Sequence, residues 1–172
     1  MARTSGYNGH LLVDGYNIIY QWPFLRDVLE DYGVQAARAQ LGEWVRIIHD
    51  MDNYRVTLVF DGRGPQPEIE RPERELTFSY LFTPGGITAD QIIEQLVCTS
   101  KKPIDMIVAT RDNLLTETVG ANGGRIITPD GLLEWVQRCR LRAARLIAEH
   151  NQSVQKRWRH ALHADIKPRT RH

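Results

Sequence analysis

Four aspartates sit at places where strands and helices would hand over to one another. Asp14 closes the apolar run Leu11-Leu12-Val13, and Asp61 closes Arg55-Val-Thr-Leu-Val-Phe60. Asp112 follows Ile104-Asp-Met-Ile-Val-Ala-Thr110 after one residue, and Asp90 falls in the first turn of a predicted helix. Glu94 lies four residues beyond Asp90 and so shares its helix face. Carboxylates forced into one cleft repel each other, and either a raised pKa or a bound divalent cation relieves the repulsion. Hard oxygen donors without His or Cys favour magnesium or manganese. Such ions assist phosphoryl transfer, by activating water or by clamping the attacking and leaving oxygens. Phosphodiester hydrolysis is the chemistry this set would perform.

Taken singly, each acid also has a structural use. An Asp beside a Gly forms turns, and Asp90 and Asp112 suit the positive start of a helix. A helix-surface Glu such as Glu94 is commonly just solvated. What argues for a site is the coincidence of four acids at the same end of one sheet. Asn17, just after Asp14-Gly15-Tyr16, places an amide where it can orient a water, a phosphate or the acid, with a turn as the alternative. Tyr16, Tyr20 and Trp22 are the nearby rings that could stack on bases, although packing is the commoner use of aromatics this close to a core strand.

The elements that must position these groups alternate. The apolar strands near residues 10–14, 55–60 and 104–110 are nearly continuous, as expected of strands covered on both faces of a parallel sheet. Residues 35–51 carry Ala36, Ala39, Leu41, Trp44, Val45, Ile48 and Met51 near a 3.6-residue period, which predicts a crossover helix. Residues 89–98 repeat the pattern, with Thr88 as cap and Gln91 completing a capping box. A strand at 125–128 and a helix from Pro129 to beyond residue 145 follow. The Pro-, Gly- and charge-rich stretch 62–75 reads as an exposed loop able to cover a cleft, and 76–82 as a strand. The expectation is an α/β three-layer domain with a mainly parallel sheet and right-handed crossovers, its ligand beyond the carboxyl ends of the strands.

The chain has 172 residues, 42% hydrophobic and 25% charged, which suits one globular core. Two cysteines, Cys98 and Cys139, make neither a zinc cluster nor a disulfide framework, so a reducing cytoplasm is expected. There is no run of 18 apolar residues and no signal-peptide pattern at the start, which argues against a membrane or exported protein. The net charge of +1 conceals a division: residues 1–137 hold 12 Lys/Arg against 19 Asp/Glu, and 138–172 hold 10 against 2. Arg138, Arg140, Arg142 and Arg145, then Lys156, Arg157 and Arg159 around Trp158, predict a cationic helix able to neutralise RNA phosphates, or else a solvated face. His150, His160 and His163 read as scattered surface residues. The end, Lys167-Pro-Arg-Thr-Arg-His172, is expected to be mobile.

Leu12-Val-Asp-Gly-Tyr-Asn-Ile18 resembles the YacP-like group of the NYN-domain proteins, which are relatives of the PIN nucleases. The likeness continues in order through Val59-Phe-Asp-Gly62, Thr83-Pro-Gly-Gly-Ile-Thr-Ala-Asp90 with Ile93-Glu94, and Val108-Ala-Thr-Arg-Asp112. It covers roughly residues 10–140 and implies a PIN-like Rossmann-type fold and a magnesium- or manganese-dependent endoribonuclease, acting in some relatives on messenger RNA at the ribosome. The resemblance puts Asp14, Asp90 and Asp112 on the metal site, with Asn17 and Asp61 acting beside them and Thr88, Glu94 and Thr110 in support. Arg111 stands where that pattern has Ser, and could contact phosphate. The corresponding division is a leader at 1–9, a nuclease domain at 10–145 and a basic extension at 146–172.

The alternative on the same fold is a non-catalytic RNA- or ribosome-binding module. A phosphatase of the Asp-x-Asp type is disfavoured because Tyr stands at position 16, and neither a Gly-x-x-x-x-Gly-Lys-Ser/Thr loop nor a Gly-x-Gly-x-x-Gly fingerprint is present. No nucleotide cofactor is expected.

Overall fold

The computed structural model describes residues 6–165, with side chains to residue 162. Residues 1–5 of the leader and the terminal Lys167–His172, expected to be mobile, lie outside the described residues. The order is β1 (Gly9–Asp14), α1 (Gly15–Gln21), α2 (Pro23–Tyr32), α3 (Val34–Asp52), β2 (Tyr54–Phe60), β3 (Glu68–Glu70), β4 (Phe78–Phe82), α4 (Ala89–Cys98), β5 (Met106–Ala109), α5 (Asn113–Ala121), β6 (Arg125–Ile127) and α6 (Pro129–Asp165).

The strands form one six-stranded sheet in the order β3-β4-β2-β1-β5-β6, parallel except for β3 at the edge. Each central strand sends alternate residues to two different cores, which is why its sequence is nearly continuously apolar. Leu11, Val13, Leu58, Phe60 and Ala109 pack under α1, α2, α3 and α6. Leu12, Val59 and Val108 pack under α4 and α5 with Ile93, Val97, Leu115 and Val119. The three-layer α/β expectation is met, and the helix at 89–98 begins with the Thr88/Gln91 capping box.

Three details differ from the sequence reading. The stretch 62–75 is not wholly loop: Glu68–Glu70 pairs antiparallel with β4, and 72–74 form a 3₁₀ turn. All three residues of β3 are exposed, so the strand rests on backbone pairing and carries no hydrophobic alternation. The helices α1 and α2 lie in a segment where no helix was expected. Gly15 does not make a turn but starts α1, since a Cβ there would stand 2.2 Å from the Phe60 ring. α5 is signalled in the sequence only by Asp112 as its cap, for just Leu115 and Val119, four apart, mark its buried side.

Candidate active site

The chain fills one side of β1 with β2 and β4, then crosses through α4 to place β5 on the other side. A crevice opens at such a reversal, beyond the carboxyl ends of the adjacent strands. Asp14 is the last residue of β1, and only 7% of it is exposed. Its neighbour across the reversal is Thr110, buried just past β5, whose hydroxyl donates to Asp14 Oδ2 at 2.9 Å. The same Thr110 oxygen accepts the backbone N–H of Asp112 at 3.1 Å. Asp112 caps α5, with Oδ1 accepting the Leu115 N–H at 2.8 Å. Asn17 Oδ1 accepts the Arg111 N–H at 2.9 Å, so the amide holds the β5–α5 turn against α1. On the other flank Asp61, one residue past β2, accepts the Ala89 N–H on Oδ1 at 2.7 Å. That bond ties β2 to the start of α4 and presents Asp90 in its first turn, with Glu94 one turn on.

Burial, and then repulsion from Asp90, Asp61 and Asp112, raises Asp14 from 3.8 to about 7, against the lowering effect of the Thr110 hydrogen bond. Burial also raises Asp90, with further repulsion from Asp112, Asp61 and Glu94. The four aspartates therefore share one electrostatic basin, as the sequence arrangement requires. Among the described residues, no three His, Cys, Asp or Glu side chains are grouped closely enough to clasp an ion as they stand. The donor chemistry nonetheless fits a hard divalent cation. Asp61 and Asp112 each commit one oxygen to a backbone N–H that fixes the carboxylate, while Asp14 is held by the Thr110 hydroxyl and hydrogen-bonds to Asp90, so the donors gathered here are oxygens.

The remaining candidates divide. Thr88 is occupied as a cap, exchanging hydrogen bonds with Gln91. Arg111 is exposed at the rim, where its guanidinium donates to Gln21 Oε1 at 2.8 Å. Trp22 is core, its indole N–H donating to Pro129 O at 3.0 Å, so of the three rings only Tyr16 and Tyr20 border open space. The basic residues of α6 are not brought to the acids. Arg142 pairs with Asp52, the last residue of α3, which lies beside the start of β2 at the opposite end of the sheet. Trp135 donates to the same carboxylate at 2.5 Å, and Arg140 lies over Trp44 at 3.7 Å. Arg138 stands 3.9 Å from Glu134, while Arg145, Lys156, Arg157 and Arg159 are exposed with no ion pair among the described residues. α6 runs on through residue 146 without a break, and His150 and His160 are exposed along it.

Sequence reasoning missed Arg38. It sits on α3 next to the core positions Ala37 and Leu41, and its guanidinium is enclosed by Tyr16, Phe60 and Phe82. A cation one position off an apolar stripe was the only available signal. Among the described residues, no helix is long and apolar enough to cross a membrane.

The YacP-like NYN domain model matches residues 11–171. An uncharacterized protein YacP from Bacillus subtilis is 35% identical over 86 residues, which cover 50% of this chain and 49% of that protein. The matched stretch thus spans about half the length of that curated relative. The crystal structure of Rae1 (YacP) from Bacillus subtilis is 27% identical, covering 91% of this chain and 89% of that one, with a TM-score of 0.69. A mutant form of Rae1 is 28% identical over 84% of each chain, with a TM-score of 0.71. A match across nearly the whole length, on a sheet whose reversal gathers the motif acids, leads to one assignment: the chain belongs to the YacP-like NYN domain family.

Proposed function

We propose that the protein is a divalent-metal-dependent endoribonuclease that hydrolyses RNA phosphodiester bonds at the carboxyl edge of its sheet. The observation that carries the reading is the gathering of Asp61, Asp90 and Asp112 around the buried carboxyl of Asp14, which burial and their charge push upward. Membership of a PIN-like nuclease family supports it.

Asp14, Asp90 and Asp112 would hold magnesium or manganese. When bound, that ion supplies a counter-charge for the scissile phosphate and lowers the pKa of an attacking water. The protein's own groups do the rest. Thr110 fixes the Asp14 carboxylate with one hydrogen bond and the Asp112 backbone with another, which ties the positions of the two acids together. Asp61, anchored on Ala89 N, keeps the α4 N-terminus and Asp90 in register, and its remaining oxygen is placed to orient a water. Asn17 holds the Arg111 turn, which keeps the rim guanidinium where a phosphate would pass. Glu94 adds negative charge that raises Asp90 until a cation neutralises the set.

RNA is the proposed substrate, and the exposed basic half of α6 is a second contact made at a distance. It suits a large structured polyanion, such as a ribosomal surface presenting a messenger RNA. The test is incubation of purified protein with single-stranded and structured RNAs, with and without magnesium or manganese, beside Asp112→Asn. Cleavage that needs both the metal and Asp112 supports an enzyme. RNA binding without cleavage, unaffected by Asp112→Asn, supports the binding module instead.

A further inference from the structure

Next to Asp61, a cleft of ≈ 890 Å³ lies between α1–α3 and the segment after β2. Arg38 lines it. The guanidinium stands 5.4 Å from the Tyr16 ring centroid, 5.3 Å from Phe60 and 5.0 Å from Phe82, and Nη2 donates to the Tyr16 hydroxyl. The ring faces hold the cation in place. They do not neutralise it, and among the described residues no carboxylate forms a salt bridge with Arg38. Its Nε is buried with no hydrogen-bond partner. The guanidinium therefore carries its charge without a countercharge among the described residues, and an anion arriving in the cleft would supply one.

The cleft also has a pre-set wall and an open ring. Gly62 N–H donates to Thr83 Oγ1 at 3.1 Å and Gly85 N–H to Gly64 O at 2.8 Å, which fixes the segment after Asp61. A Cβ at Gly62 would stand 2.1 Å from Thr83 O, so the close approach needs glycine. At the mouth Tyr20 is 56% exposed, unusual for a ring on a helix whose other large residues are core. Arg63 lines the cleft as well, and so do Asp61 and Glu68. With two cations and two carboxylates, the cleft carries no excess of positive charge. Such a balance suits a single phosphate with its base attached better than a tract of backbone.

We propose that this cleft is a nucleotide subsite for single-stranded RNA, in which Arg38 holds one phosphate and Tyr20 stacks on the adjoining base. Because Asp61 borders both the cleft and the acid cluster, the nucleotide bound there flanks the bond to be cut. This deepens the RNA reading above and rests on it for the identity of the strand.

The experiment measures fluorescence anisotropy of a labelled single-stranded RNA of about twelve nucleotides, in EDTA at several salt concentrations. It compares wild type with Arg38→Gln, Arg38→Lys and Tyr20→Ala, and follows magnesium-dependent cleavage by the same proteins in parallel. Arg38→Gln is expected to weaken binding about tenfold and to lower the salt slope by about 0.7, one phosphate contact on a single strand. Arg38→Lys keeps the slope and recovers part of the affinity, which a merely structural role would not do. Tyr20→Ala is expected to weaken binding at least about fivefold with the slope unchanged. In cleavage the loss falls on KM rather than kcat. Wild-type affinity and slope in both Arg38→Gln and Tyr20→Ala overturn the subsite. If Arg38→Gln fails to fold, the exposed Tyr20→Ala decides by itself. Failure of the wild type to cleave RNA strikes the nuclease reading instead, and the EDTA binding data still judge the cleft.

Discussion

At the carboxyl edge of the sheet, four acids are assembled from four separate elements, and the bond from Thr110 to Asp14 spans 96 residues. At the opposite end, Arg145, Lys156, Arg157 and Arg159 follow one another, exposed, along a single helix. The acids are fixed: a backbone or hydroxyl donor holds Asp14, Asp61 and Asp112 in place. The basic residues are exposed on a rod that extends about 35 Å past Arg142 at 1.5 Å per residue. Groups that must share an ion or a reacting atom need sub-ångström placement, which only a packed sheet edge supplies. Groups that attract a polyanion over a Debye length need only charge and reach. The two regions lie at opposite ends of strands about 20 Å long, so one cannot substitute for the other.

The largest effects should come from breaking the fixed region. Asp14→Asn or Asp90→Asn is expected to reduce magnesium-dependent RNA cleavage about a thousandfold or more, with an unchanged far-ultraviolet circular dichroism spectrum. The same Asp14→Asn exchange should stabilise the protein without divalent ions. Asp14 is raised from 3.8 to about 7 in the fold, so its favourable share of stability is complete below 3.8 and is lost as pH climbs through 7. At pH 8 the buried charge costs up to about 4 kcal/mol. Melting temperatures in EDTA should therefore fall between pH 5 and 8 in wild type, and this component should be missing from Asp14→Asn.

Smaller effects follow from loosening the second region. Asp52→Ala removes the acceptor shared by Trp135, Cys139 and Arg142, which fastens α6 to the end of α3. A loss of about 1–3 kcal/mol in denaturant unfolding is expected. Replacing Arg145, Lys156, Arg157 and Arg159 together by Gln should leave stability within about 0.5 kcal/mol. That quadruple variant should weaken binding of long RNA and reduce its salt slope by about 3. An oligonucleotide short enough to occupy only the acidic edge should respond less. An equal response would mean that the two regions act as one surface.

Much of the fixed region is legible in the sequence, because burial on both faces makes β1, β2 and β5 nearly continuously apolar, and an acid closes or soon follows each. Thr88 and Gln91 likewise announced α4. The motif order carried the family. The unread parts are those whose reasons lie elsewhere in the fold. Gly15 looks like a turn residue until Phe60 is packed over it. β3 exists because β4 offers its backbone, not because Glu68–Glu70 favour a strand. Arg38 reads as one more surface cation on α3, and only the rings of Phe60 and Phe82, from other elements, reveal its enclosure. For the basic region the charge was plain, but its pole was not. Arg142 reads in the sequence as one of the RNA-contacting residues, and in the fold its ion pair with Asp52 also fastens the arm.

The central claim is that carboxylates far apart in sequence serve one cation, and calorimetric titration of manganese into metal-free protein at pH 6.5 addresses it most directly. A saturable site is predicted, with proton release on binding, because the raised Asp14 carboxyl must give up its proton. The heat should shift between buffers of different ionisation enthalpy, and both binding and proton release should be lost in Asp14→Asn. Manganese binding with full affinity and no dependence on Asp14, Asp90 or Asp112, or no binding at all, would contradict the account.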